Sequence, residues 1–169
     1  MSAFAIDLDL QGFAEFSALW QQAPEIVREE LLAAITEADL LLEREVKERT
    51  PTGVGGTLRS SIFGREMVLA DNVIGEVGTM VSYAIPVELG TRPHFPPIEP
   101  IKDWVRHKLG VAPEQVDEVA YRVARKIAAR GTQGAHMFGE AFAATRSQIN
   151  AIMLRAQERI VARLGGSHA

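Results

Sequence analysis

Apolar and polar positions recur at two different periods along this chain, and each change of period marks an element boundary. Ile6, Leu8 and Leu10 alternate with Asp7 and Asp9, the two-residue period of a short strand with one buried face. Gly12 breaks that pattern, and Phe13, Phe16, Leu19 and Trp20 then recur at helical spacing. From Pro24 to about Arg49 the apolar residues are Val27, Leu31, Ala34, Ile35, Ala38, Leu42 and Val46. They form one stripe of an amphipathic helix, with Glu, Arg and Lys on the other face. Pro24 suits a first helical turn. Glu25, Glu29 and Glu30 near the start, with Lys47 and Arg49 near the end, match the helix dipole. At ~1.5 Å per residue this element spans about 39 Å, and Thr50 and Pro51 stop it.

Residues 52–57 hold three glycines and read as a flexible segment. Two extended runs follow, at about 61–70 and 73–81, with Asp71 and Asn72 between them supplying the chemistry of a two-residue hairpin turn. Residues 83–90 form a short helical or extended piece closed by Gly90, and residues 91–100, with four prolines, must be an extended or turning loop. Three helices complete the chain. The first starts near Glu99 and Pro100, carries Ile101, Trp104, Val105 and Leu109, and closes at Gly110. The second runs from Pro113 to Gly131, and the third from about Gly139 to the Gly165 and Gly166 stop. Trp20 and Trp104 read as core residues on apolar helix faces. The expected fold class is α+β: a small antiparallel sheet packed against a long N-terminal helix, with C-terminal helices. No internal repeat appears, so residues 1–169 read as a single domain with an extended C-terminal helix at 139–164.

Composition narrows the functional classes. Apolar residues make up 47% of the chain, enough for a core. The absence of cysteine rules out disulfides and Cys-ligated metal centres. No basic stretch precedes an apolar run at the start, and no apolar run is long enough to span a bilayer, so the chain reads as cytoplasmic. The net charge of −4 is unevenly spread, with −7 in residues 1–50, −2 in 51–100 and +5 in 101–169. Complementary fields of this kind orient association between neighbouring copies in a ring; two solvated helical surfaces of opposite sign would give the same pattern.

Short strings in a fixed order then carry a resemblance. The long helix ends in RTPTG at residues 49–53, followed by GTLRSSI at 56–62, VGT at 77–79, Tyr83 and Ala84, and VELGT at 87–91. A proline-rich loop leads from Pro96 and Pro97 into the helix bearing Trp104, and an aromatic introduces the last helix. Over residues 3–145 this order resembles the bacteriophage tail-component family of siphophages, the tail-completion or minor tail protein Z kind. Two departures stand out. Val54, Gly55 and Gly56 widen a turn that is compact in the family, and residues 134–138 (GAHMF) lack the proline-bearing segment that members often carry there. The resemblance implies a virion structural protein that completes the tail and joins it to the head. It would be one subunit of a six-fold ring, beside the tail terminator and head-closure (connector) proteins. Assembly would take place in the host cytoplasm, without cofactor or small-molecule substrate.

Candidate contact residues follow from this. Gly53, Gly55 and Gly56 permit unusual backbone angles and can stay loose until a partner arrives. Arg59 beside them would pair with an acidic neighbour or a phosphate, or is a plain surface arginine. Arg92, His94 and Phe95 lie in a loop whose prolines reduce the entropy cost of ordering. Phe95 either anchors in a neighbour's pocket or covers the domain's own core. Arg155, Arg159 and Arg163 share one helix face by their four-residue spacing. They would line a DNA channel, contact another subunit, or form a solvated face.

Rival classes find less support. His94, His107, His136 and His168 show no metal-binding spacing, and neither a Walker loop nor a G-x-S-x-G elbow occurs. Glu88 with His94 is a conceivable acid–base pair, although a surface carboxylate and a loop histidine read more simply. A nucleic-acid-binding module is disfavoured by the acidic balance and the 7% aromatic content, leaving passive contact with genomic DNA inside an assembled ring. A different neck position, such as tail terminator or head-closure stopper, is the alternative within the same class. No enzymatic activity is expected.

Overall fold

The computed structural model describes residues 24–69 and 72–165. The strand expected at 3–10, the helix carrying Phe13 to Trp20, Asp71 and the Gly166 stop lie outside the described residues.

The fold is mixed helix and sheet. Helix α1 (Pro24–Arg49) is followed by a 3₁₀ turn (Val54–Gly56) and a one-turn helix α2 (Thr57–Ser60). Strands β1 (Ile62–Val68) and β2 (Val73–Thr79) pair as an antiparallel hairpin in the register Ile62↔Thr79 to Val68↔Val73. Helix α3 (Ala84–Leu89) runs into strand β3 (Gly90–Thr91). Helix α4 (Ile98–Trp104) widens into a π turn (Val105–Leu109), and a second 3₁₀ turn (Pro113–Gln115) opens helix α5 (Val116–Arg130). Strand β4 (Thr132–Gln133) pairs with β3, and helix α6 (Met137–Gly165) ends the described chain.

Among the described residues these elements form two compact units, the first drawn from residues 24–48, 62–79 and 140–165 and the second from residues 49–61 and 80–139. In the first, α1 and α6 pair antiparallel. Ala34 and Ala38 meet Ile149, Ile152 and Ala156, and farther along Val27 and Leu31 meet Ile160, with Val73 of β2 closing over them. All seven apolar positions of the α1 stripe are buried. Alanines at the seam let the two helix backbones approach closely, and the isoleucines fill the space between. The flank is polar. Arg155 donates to Glu37 at 3.0 Å, Arg159 to Glu30 at 2.6 Å, and Arg163 to both Glu29 and Glu30 at 3.0 Å. The hairpin packs on α1 through Gly64 and Gly75, which face Asp39.

The second unit is built on Val105, Val116 and Ala120, joined by Ile98, Ile101, Val111 and Val119. Lys102 ties α4 to the start of α5, reaching Asp117 at 2.9 Å and Glu99 at 3.3 Å. The expected helix stops hold: Gly110 takes a left-handed φ of 59°, and the Gly131 N–H closes α5 on the Ile127 carbonyl at 2.7 Å.

Three local expectations are corrected. Asn72 closes the hairpin instead of lying in its turn, because the Leu69 N–H donates to the Asn72 carbonyl at 2.8 Å beside the Val68↔Val73 pair. The proline loop ends sooner, since Ile98 already begins α4 and Pro100 sits in its first turn, where a missing N–H costs nothing. Trp104 is 38% exposed; its neighbour Val105 takes the core position on that helix.

The α1–α6 pairing rests on the apolar seam more than on the flanking charges. Ala156→Leu is expected to cost about 2 kcal/mol by overpacking. Arg155→Gln, at a half-exposed pair, should cost under ~1 kcal/mol and less still in high salt. Urea unfolding of the two variants measures the contrast.

Candidate functional site

The VELGT string at 87–91 builds a corner. Helix α3 ends there, and Gly90 takes a φ of 78° that side chains rarely adopt. A Cβ on Gly90 would strike the Thr132 carbonyl oxygen and the Gly134 nitrogen, so only glycine lets β3 lie against β4. Gly134 packs equally tightly on the Glu88 carbonyl, and Gly131 on the Thr91 carbonyl. The Ala135 and His136 N–H groups donate to the Val87 and Glu88 carbonyls at 2.8 and 3.0 Å, and the Thr91 and Thr132 hydroxyls meet at 3.0 Å.

Glu88 itself is 4% exposed. Its two carboxylate oxygens accept the Phe138 and Gly139 N–H groups, each at 3.1 Å, in the first turn of α6. A helix start leaves four N–H groups without intrahelical partners. A buried carboxylate there satisfies two of them and complements the helix dipole. The surface-carboxylate reading of Glu88 is therefore corrected: its charge is held by the backbone of a helix fifty residues away. The conceivable partner His94 is exposed and engages the Arg92 carbonyl at 2.9 Å through Nδ1. The two do not form an acid–base pair.

The glycine segment is wound into a 3₁₀ turn. Gly55 and Gly56 take φ of 75° and 65°, and the Gly56 N–H reaches the Gly53 carbonyl at 3.4 Å. Two successive left-handed residues turn the chain into α2, a conformation that glycine permits. Leu58 is buried, and the Ser60 and Ser61 hydroxyls donate to the Thr57 and Leu58 carbonyls. Arg59 is exposed and makes no ion pair among the described residues.

In the proline loop, Arg92, His94 and Phe95 are all exposed. Phe95, 57% exposed, leans on Tyr121 of α5 with ring centroids 6.2 Å apart and planes tilted by 56°. Of the two readings of Phe95, covering the core is thus excluded. Thr91 and Arg92 pass beside Gly131 at one end of α5, and Phe95 reaches Tyr121 nearer the other. The loop therefore runs back along that helix. No hydrogen bond or ion pair joins it to the glycine segment among the described residues.

Arg155, Arg159 and Arg163 do share a face, but α1 glutamates engage all three. The Arg159 hydrogen bond, with Arg163 assisting, holds the Glu30 carboxyl below its ordinary range despite partial burial. That contribution is full above the usual glutamate range and is lost as pH falls through the depressed value. Arg163 is correspondingly raised by Glu29 and Glu30.

One group went unnoticed in the sequence. Asp39, 6% exposed, points from α1 into the hairpin, and its Oδ2 has no hydrogen-bond partner. Burial, with Glu66 next in weight, pushes its carboxyl up to about 7, against an opposing hydrogen bond from the Glu76 backbone; Glu43 and Glu76 add to the rise. The sequence signal was the placement of Gly64 and Gly75, one in each strand.

Among the described residues, no group of His, Asp or Glu is arranged to hold a metal ion, and no helix is long and apolar enough to cross a membrane. Comparison with protein-family models, curated proteins and solved structures finds no match to this chain.

If Glu88 holds the start of α6 as described, Glu88→Ala should lower unfolding free energy by about 2–3 kcal/mol, combining a lost cap, a lost charge–dipole term and orphaned N–H groups. Glu88→Gln should recover only part of this. Chemical denaturation provides the comparison.

Proposed function

We propose that this chain is a structural protein of a tailed-phage virion, completing the tail and joining it to the head within a six-fold neck ring of its own copies. The observation that carries this reading is where the ordered strings fall. Leu58, Ile62, Val77, Ala84 and Glu88, which belong to the strings that resemble the tail-component family, are all buried. Gly90 makes a close approach that no other residue permits. A recurring set of residues spent on the scaffold fits a family defined by shape and assembly, with no shared reaction centre. The proposed role is non-catalytic and uses no cofactor.

The exposed residues left over are contact material. Phe95 and Tyr121 form an aromatic step, and aromatic side chains dominate binding energy when a partner covers them. Arg92 and Arg59 lie exposed in the same unit and suit the acidic rim of a neighbour. The neighbours are further copies of this chain, the tail terminator and the head-closure protein. The α6 arginines, already engaged by α1, leave at most a passive contact with DNA passing through the ring. The protein would act in the virion neck after assembly in the host cytoplasm.

A null mutant of the gene in its phage, viewed by negative-stain electron microscopy, should show DNA-filled heads beside unattached tails; normal infectious virions would overturn the reading. On the contact surface, Phe95→Ser should leave the unfolding free energy within ~0.5 kcal/mol, as expected for an exposed position. The same variant should reduce phage titre on complementation of the null mutant by tenfold or more. Full complementation would remove Phe95 from the interface.

A further inference from the structure

The β1–β2 hairpin meets α1 around a buried acid, Asp39. On the face of the hairpin turned toward α1, the register aligns Ile62, Gly64, Glu66 and Val68 with Thr79, Val77, Gly75 and Val73. Gly64 and Gly75 leave a gap on that face, and Asp39 fills it. A Cβ on Gly64 would lie 3.2 Å from the Asp39 Cβ, and one on Gly75 would collide with the carboxyl group itself. The strand backbones can therefore close on α1 only where two side chains are missing.

Among the described residues, the charged groups that act on this carboxyl come from three elements. From α1 comes Glu43, one turn on, which accepts the Gly64 N–H at 2.7 Å and holds Lys47. From β1 comes Glu66, and from β2 comes Glu76, whose backbone N–H bonds Asp39. Arg65 holds the Glu76 side chain at 2.8 Å through Nε. Both nearby cations are thus already committed to other carboxylates. Asp39 Oδ2 has no partner among the described residues, and an ionised oxygen there would be buried, unpaired and beside three like charges.

We propose that Asp39 is a proton-controlled latch: the neutral carboxyl holds the hairpin on α1, and its ionisation loosens the hairpin. This goes beyond the assembly reading and does not depend on it. Burial sets the docked carboxyl at about 7 against 3.8 for a free aspartate. A docked value above the open value means that docking is strongest at low pH. It weakens as pH climbs between the two values and levels off above the higher one. Within that window the opening equilibrium rises by up to about tenfold per pH unit. Opening would uncover Ile62 and Val77, each 1% exposed when docked.

The test is hydrogen exchange of residues 62–79 in the intact protein between pH 5 and pH 9, corrected for the intrinsic exchange rate at each pH. In the wild type, hairpin protection is expected to fall with pH up to neutrality and then plateau. In Asp39→Asn, which mimics the neutral carboxyl, protection should be flat across the range and at least tenfold higher than wild type at pH 8. Wild-type protection that does not change with pH, or an Asn variant that keeps the wild-type pH dependence, overturns the latch. Should the variant fail to fold, a ¹³C titration of the Asp39 carboxyl in the wild type decides. A midpoint near neutrality supports the latch, and one near 4 overturns it.

Discussion

The antiparallel contact between α1 and α6 is the constraint on which the first unit depends. Ala34, Ala38 and Ala156 bring the two backbones together, and Ile149, Ile152 and Ile160 fill the space between them. Each buried isoleucine contributes ~1.5–3 kcal/mol of apolar burial, whereas each exposed ion pair on the flank contributes ~0–1 kcal/mol. Attraction therefore comes from the seam. The Glu–Arg ladder flanks that seam. In that ladder three carboxylates of the acidic early segment, Glu29, Glu30 and Glu37, meet three guanidiniums of the basic late segment.

Two buried carboxylates show how backbone geometry sets the behaviour of an acid. Glu88 meets two N–H groups at a helix start, so its charge is compensated by dipoles fixed in the fold. Asp39 meets one backbone N–H and three other acids, so its neutral form is favoured. Glycines make both arrangements accessible: Gly90 and Gly134 shape the corner around Glu88, and Gly64 and Gly75 open the hairpin to Asp39. At Asp39 the missing side chains admit the acid, whereas at Glu88 they let the backbones of the corner close on one another.

Much of this architecture was legible in the sequence. The α1 stripe was readable because its burial is one-sided and its period unbroken, and the helix stops at Gly110 and Gly131 because each carries a backbone conformation that glycine favours. The hairpin was visible as two β-rich runs, but Asn72 closes it opposite Leu69, because the register is fixed by what faces α1 and not by turn chemistry alone. Glu88 was visible as part of a string, yet its role required a helix start fifty residues later. Asp39 was invisible because an acid beside an apolar stripe looks like an ordinary polar flank. Of the candidate contact residues, Phe95 stood open to two readings in the sequence, and both its exposure and the engagement of Arg155, Arg159 and Arg163 by α1 needed the third dimension.

The central claim is that this chain is a fixed part of the virion neck, and copy number tests it most directly. Quantitative mass spectrometry of gradient-purified virions, calibrated against the major capsid and tail-tube proteins, gives copies per particle. The account predicts six copies of this chain per virion, retained on tails after heads are removed or on heads after tails are removed. Absence of the chain from purified infectious particles would contradict it.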